Sequence, residues 1–200
     1  MNYCCCFLEK LGTFTAYENV SKTKSFRFAK EASLIIWISG PTGSGKTTLS
    51  NYLQQSGWRV IREIIPLEVF EKFASDPQNH CAQLQENIIQ SRFDQFSRLK
   101  SEKIAFDRSV SEDVEVFCRL HMQNGYLSEE KFRAIKSFGD SLLGKMPNPD
   151  LVIYLSSSFE TLRDRLHAAG QPEIVSNSLR GQISLYESWL NAAKYEVLQI

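Results

Sequence analysis

The sequence predicts an α/β protein in three layers, a five-stranded parallel sheet with helices on both faces. Three observations lead there. From Ser33 onward, strand-sized apolar runs alternate with longer stretches of helical period. The first run, Leu34-Ile35-Ile36-Trp37-Ile38, is apolar at consecutive positions, as a strand covered on both faces must be. The intervening segments are long enough to cross over, which parallel neighbours require.

Taken in order, residues 1–32 stand apart. They lack a sustained period, carry Cys4, Cys5 and Cys6, and hold a basic stretch at 21–27. They read as an N-terminal extension of a domain over 33–200. After the first strand comes a glycine-rich turn and a helical run, then strand candidates at 59–62, 103–106, 151–155 and 197–200. A helix is predicted over 83–100, where Leu84, Ile88, Phe93, Phe96 and Leu99 form a broad apolar side. The chain stops inside the fifth strand candidate, at Ile200, which a shortened C-terminus would explain.

Composition narrows the function classes. Lys+Arg and Asp+Glu both number 23, for a net charge of zero and a pI near 6.8. A protein whose task is to coat nucleic acid carries a basic excess, so nucleic acid is not expected as a partner. Membrane association is not expected either, because no apolar run approaches the roughly 20 residues of a span. The cysteines number 5, three of them adjacent, and make no disulfide framework. Without a secretory leader this favours a reducing, cytoplasmic setting, with a mitochondrial leader as the alternative that Glu9, Glu18 and Glu31 weaken.

The chemistry begins at Gly40-Pro41-Thr42-Gly43-Ser44-Gly45-Lys46-Thr47-Thr48, a G-x-x-x-x-G-K-[ST] loop between a buried strand and a helix. Glycines at 40, 43 and 45 let backbone N–H groups from Thr42, Ser44 and Thr48 turn inward around phosphate oxygens, and the helix N-terminus adds its dipole. Lys46 is expected to reach the β- and γ-phosphates of ATP, and the Thr47 hydroxyl to hold Mg²⁺. The bland alternative is a glycine-rich turn capping a helix. This arrangement points to a P-loop NTPase-like fold.

Two strand ends add to it. Asp107 closes the strand candidate at 103–106 and is expected to face the phosphates, where it could hold Mg²⁺; Arg108 beside it could neutralise charge on a transferring phosphoryl group. The alternative for Asp107 is a helix cap. Glu63 follows the second strand candidate and could accept a proton from an attacking hydroxyl, or be an exposed strand-end glutamate.

In this order the residues resemble the deoxynucleoside kinase family. The resemblance spans 34–200 and rests on the loop, on Glu63, and on Asp76-Pro77 through Leu84-Gln85 to Ser91-Arg92-Phe93. It continues through Asp107-Arg108-Ser109 with Asp113 and Phe117, Pro149-Asp150-Leu151, and Tyr186-Glu187-Ser188-Trp189. It implies ATP as phosphoryl donor, Mg²⁺, a (deoxy)nucleoside as acceptor, and a homodimer. Glu63 matches the general base, Arg108 the arginine that orients phosphates and base, and Gln85 the amide that reads the nucleobase. Arg92 and Asp113 match a pair that shapes base preference, and Phe117 falls in the same substrate set. Without the resemblance, Gln85 and Arg92 would read as ordinary helix-surface residues seven apart.

The chain also departs from the pattern. The family's lid carries R-x-R where this chain has Ala169-Gly170-Gln171, although Arg165 matches the arginine one turn earlier. The tyrosine that reads the sugar 3′-hydroxyl falls at Ala74, and an aromatic position of the family falls at Glu68. The lid glutamate that partners this tyrosine falls at Ile174, with the adjacent Glu173 as a possible substitute. The leading expectation is therefore a kinase of nucleosides or similar small molecules. A nucleotide-binding regulatory or scaffold protein is the alternative that the missing lid arginines raise. A nucleoside monophosphate kinase is a third, against which the depleted lid argues.

Overall fold

The computed structural model of the chain describes residues 34–99 and 103–200. The predicted extension and Cys4, Cys5 and Cys6 lie outside the described residues, as does Lys100 at the predicted helix end. Strands β1 (Leu34–Ser39), β2 (Arg59–Ile61), β3 (Lys103–Asp107), β4 (Leu151–Tyr154) and β5 (Val197–Gln199) form one sheet in the order β2-β3-β1-β4-β5. Every neighbouring pair is parallel. The five-stranded parallel sheet is thus as expected, with strand ends one residue longer or shorter than the apolar runs.

Consecutive burial in β1 has a simple cause: alternate side chains enter different cores. Ile35 and Trp37 join Ile104, Phe106, Val152 and Tyr154 on one face, beneath Val116, Leu120, Leu185 and Trp189. Ile36 and Ile38 join Ala105 and Ile153 on the other, against Leu49, Leu53 and Trp58. All four β1 residues are at most 3% exposed.

The helices follow their capping chemistry. Helix α1 (Lys46–Gln55) starts straight from the glycine-rich loop, and α2 (Leu67–Ser75) follows Pro66. Helix α3 (Pro77–Ser97) begins six residues earlier than its apolar stripe suggests, because Asp76 caps it by accepting from the Asn79 N–H and Pro77 occupies the first turn. Helix α4 occupies 110–123. It opens at Val110–Glu112 under a Ser109 cap, runs π-helical over Asp113–Cys118, and ends at Arg119–Gln123. Helices α5 (Glu129–Leu143), α6 (Phe159–Ala168), α7 (Glu173–Asn177) and α8 (Leu179–Ala192) complete the layers. Helices α2 to α5 bury a second core around Phe73, Leu84, Ile89, Val114 and Ile135.

Strand order changes direction at β1, flanked by β3 and β4. That switch point opens a crevice at the carboxyl ends of the strands, where ligands of open α/β sheets sit. The glycine-rich loop, Glu63 and Arg108 all follow strand ends on this edge.

Candidate active site

Two cavities meet at the carboxyl edge. One, of about 590 Å³, is lined by Gly43, Gly45, Lys46, Thr47, Asp107 and Arg165 among others. The other, of about 420 Å³, is lined by Gln85, Asp113, Phe117, Phe70, Phe73 and Ile174 among others. Thr42, Glu63, Arg108 and Gln171 border both, and so mark the junction. A volume of several hundred Å³ suits a small organic ligand.

The loop's shape depends on its glycines. A Cβ on Gly40 would stand 2.6 Å from the Leu155 carbonyl oxygen, so no other residue fits without moving β4's end. Gly45 has open space around it but φ of 103°, a conformation that side chains resist. Lys46 folds over the loop, donating to the Gly40 and Pro41 carbonyl oxygens at 2.8 Å each. Burial, reinforced by the Arg108 charge, pulls the Lys46 ammonium down to about 7 against the pull of Glu112, Asp107 and Glu63. Arg165, exposed on α6, donates to the Gly43 carbonyl at 3.1 Å and so borders the phosphate cavity. Thr48, by contrast, is exposed and does not border that cavity with its side chain.

Arg108 is the hub of the junction. It has φ of 70°, rare for a side-chain-bearing residue and held by bonds on both sides of it. Its N–H donates to the Ile38 carbonyl at 3.0 Å and its carbonyl accepts from Arg92 at 3.3 Å. Nη1 donates to Glu112 at 2.8 Å, to the Tyr186 hydroxyl at 2.7 Å and to the Gly40 carbonyl at 3.2 Å. The Tyr186 hydroxyl donates in turn to Glu112, whose other oxygen accepts from Ser39 at 2.7 Å. The guanidinium also lies 4.4 Å from the centre of the Phe117 ring. Burial alone would lower the Arg108 pKa, but Tyr186, Glu112, Glu63 and Asp107 outweigh it and hold it above the usual arginine range.

Glu63 lies two residues past the end of β2, in the loop leading to α2. Its carboxylate is 3.6 Å from Arg92 and 3.7 Å from Arg108, too long for hydrogen bonds and close enough for charge attraction. Two arginines therefore hold it in place while its lone pairs stay available. Its side chain is 31% exposed, into the junction.

Gln85 and Arg92 are both buried, not on the helix surface that spacing alone suggested. Gln85 borders the second cavity and accepts from the Cys118 thiol at 3.5 Å. Arg92 sits behind the wall. It holds Asp113 through Nε at 2.8 Å and Nη2 at 3.2 Å, and donates to the Asp107 carbonyl at 2.6 Å. Asp113 and Phe117 reach the cavity from the π-helical stretch, a local geometry that recurs at functional sites. Burial pushes the Asp113 carboxyl up, with Glu63 and Glu112 adding to it and Arg92 opposing.

Glu173 is the clear correction. It opens α7 after Pro172, is exposed, and does not border the cavity, whereas Ile174 and Val175 do. Pro172 fixes the entry to the helix, so the acid faces solvent in the first turn. Glu68 likewise pairs outward with Lys72 at 2.6 Å, and the aromatic lining comes from Phe70 and Phe73.

Thr47 and Asp107 both border the phosphate cavity. A hydroxyl and a carboxylate are the hard oxygen donors that Mg²⁺ accepts while keeping phosphates and waters as its remaining ligands, so this donor set fits.

Glu112, Tyr186 and Gln182 brace the site; the sequence marked Tyr186 only as part of a family motif without a role, and Glu112 and Gln182 not at all. Glu112 stands four residues after Arg108, a spacing shared with any surface ion pair. The Gln182 side-chain oxygen accepts from the Thr42 N–H at 2.9 Å and its hydroxyl at 3.2 Å, across 140 residues. No local pattern signals that contact.

The sequence model of the deoxynucleoside kinase family matches residues 36–200. A deoxyadenosine/deoxycytidine kinase of Bacillus subtilis is 26% identical over 166 residues, covering 78% of this chain and 76% of that one. A deoxyguanosine kinase of the same organism is 28% identical over 157 residues, covering 76% of each. Among solved structures, the deoxyadenosine kinase of M. mycoides with the products dCMP and dCDP superposes with a TM-score of 0.71 at 23% identity, covering 84% of this chain and 89% of that one.

Proposed function

Because the chain belongs to the deoxynucleoside kinase family, we propose that it transfers the γ-phosphoryl group of ATP to the 5′-hydroxyl of a deoxynucleoside. The observation that carries this reading is the meeting of a phosphate cavity and an aromatic-lined cavity at Glu63 and Arg108. A carboxylate with available lone pairs at such a boundary can take a proton from one ligand while the other presents its phosphate.

In this reading ATP lies along the glycine-rich loop, its phosphates on the backbone N–H groups and on Lys46, which exchanges its bonds to Gly40 and Pro41 for phosphate oxygens. The nucleoside lies in the second cavity, its base toward Gln85 and Asp113, its 5′-hydroxyl at the junction. Glu63 accepts the hydroxyl proton as the oxygen bonds to the γ-phosphorus. The bond from that phosphorus to the β-bridging oxygen breaks, and ADP leaves. Arg108 and Arg165 bring positive charge to the moving phosphoryl group. Thr47 and Asp107 would hold Mg²⁺, which when bound supplies further neutralisation of phosphate charge. Arg92 acts on substrate indirectly, by fixing Asp113. The homodimer and the independent 1–32 extension belong to the same proposal; sedimentation reads the first and truncation the second.

The test is coupled ADP release with a panel of deoxynucleosides. Nucleoside-dependent release that collapses in Lys46→Ala and Glu63→Gln is the expected result. ATP binding by calorimetry without turnover of any nucleoside would overturn it and leave a nucleotide-binding protein.

A further inference from the structure

Four cations border the phosphate cavity, Lys46, Arg62, Arg108 and Arg165, and they are not equally engaged. Arg108 is matched by Glu112 at 2.8 Å. Lys46 folds onto the Gly40 and Pro41 carbonyls, and Arg165 donates to the Gly43 carbonyl. The fourth, Arg62, is the residue directly before Glu63 and lies half-buried just past the end of β2.

Arg62 is fixed at both its main chain and its side chain. Its carbonyl accepts from the Gln95 side chain on α3 at 2.9 Å. Its Nη2 donates to the Asn51 oxygen at 2.7 Å and to the Gln54 oxygen at 2.8 Å, both on α1. Those partners are neutral amides, so the positive charge is held in place without being offset. Among the described residues Arg62 forms no ion pair, and the adjacent carboxylate of Glu63 turns to Arg92 and Arg108 instead. A guanidinium carries five N–H donors. Tying a loop to a helix takes only those on Nη2; among the described residues, the donors on Nε and Nη1 have no protein acceptor.

Position adds to this. Glu63 borders both cavities, whereas Arg62 borders the phosphate cavity alone. One peptide bond thus separates the carboxylate at the junction from a cation on its donor side. The glycine-rich loop follows β1, Arg62 comes from the β2 side of the sheet, and Arg165 stands on α6, which follows β4. Beyond α6, Ala169 and Gln171 border the same cavity and bring no charge.

We propose that Arg62 is a further catalytic residue, whose unused N–H donors bind the terminal phosphate of the donor nucleotide and stabilise the charge that moves with it. The inference rests on reading this cavity as the ATP site. The reacting end of the triphosphate must come to Glu63, and the neighbouring guanidinium meets that end. A planar group with adjacent donors suits phosphate oxygens, and Nη2 keeps its amide partners, so little has to rearrange when the ligand arrives.

The experiment is calorimetry with Mg²⁺, comparing ATP with ADP, which differ by that phosphate alone. Arg62→Gln is expected to weaken ATP by roughly 10- to 100-fold, the range of a hydrogen bond to a charged group, and ADP by less than about threefold. In coupled ADP release, kcat/KM for ATP should fall at least as far. Equal losses for the two nucleotides, as a merely structural tether would give, overturn the inference, and so does no loss for either. Asn51→Ala/Gln54→Ala removes the tether and keeps the cation; it should weaken ATP by at most about fivefold, the cost of ordering one side chain. A loss there as large as in Arg62→Gln overturns the inference. Wild-type protein that binds neither nucleotide refutes it as well. A selective loss of ATP affinity in Arg62→Gln, in a protein that phosphorylates no nucleoside, supports the terminal-phosphate contact and refutes the nucleoside acceptor alone.

Discussion

The two cavities at the carboxyl edge are built by opposite means. The phosphate side is held by named bonds: Lys46 to two carbonyls, Arg108 to four partners, Glu112 between Tyr186 and Ser39. The second cavity is walled mainly by shape, with Phe70, Phe73, Ile174 and Val175 in its lining, and bonds hold only its polar borders, Asp113 through Arg92 and Gln85 through Cys118. Directional bonds fix where charge will be stabilised, and reorganisation there is costly. Contact surfaces fix only what volume is admitted, and they adjust to small changes in the ligand. The first half of the site should therefore tolerate little substitution and the second should tolerate much.

The largest expected effect is on the shared boundary. Glu63→Gln keeps the shape and removes the base, and kcat should fall by about 10²–10⁴ with nucleoside KM nearly unchanged. Steady-state and single-turnover kinetics read this; a fall under tenfold would place the proton acceptor elsewhere. Next comes the buried charge cluster. Arg108→Met leaves Glu112 buried without its cation and should cost about 3–5 kcal/mol in urea unfolding, with much of it recovered in the double variant Arg108→Met/Glu112→Gln. Absence of recovery would show that Arg108 stabilises through packing instead.

On the apolar side, His121 offers a pH test. Among the described residues its buried Nδ1 has no hydrogen-bond partner, and burial lowers its pKa from 6.5 to about 4. The unfolded chain then binds the proton first as pH falls. Stability is full above 6.5 and is lost toward 4, at no more than about 1.4 kcal/mol per pH unit. His121→Phe should flatten that acid limb in thermal unfolding, and an unchanged slope would assign it to the carboxylates. The smallest effect is Phe70→Ala, expected to raise nucleoside KM roughly tenfold through lost apolar contact while kcat and ATP KM hold. A drop in kcat would mean that this wall also orients the reacting hydroxyl.

The same division decides what the sequence reveals. The strands were legible because a sheet covered on both faces leaves every position apolar, as Ile35 to Ile38 show. The loop was legible because glycine at 40 and 45 answers local demands of contact and backbone angle. The start of α3 was misplaced because Asp76 and Pro77 precede the first apolar residue of the stripe, and capping rather than periodicity sets that boundary. Glu173 was misplaced because one residue around a helix turns a side chain from cavity to solvent. The roles of Tyr186 and Gln182 were invisible since their partners lie in distant segments, 74 residues apart for the Tyr186–Glu112 bond and 140 for Gln182 with Thr42.

Gln182 has one more consequence. A single amide joins Thr42 in the phosphate loop to Ser178, where α7 hands over to α8. A nucleotide that draws the Thr42 N–H toward a phosphate oxygen would release the Gln182 oxygen, and α7, which borders the second cavity through Ile174 and Val175, would register the change. Under that exchange the two ligands do not bind independently. Whatever factor ATP imposes on nucleoside affinity, the nucleoside imposes on ATP affinity in return, since both paths lead to the same ternary complex. The strength of that mutual effect is then set by one side chain, Gln182, which borders the second cavity and reaches the phosphate loop through Thr42.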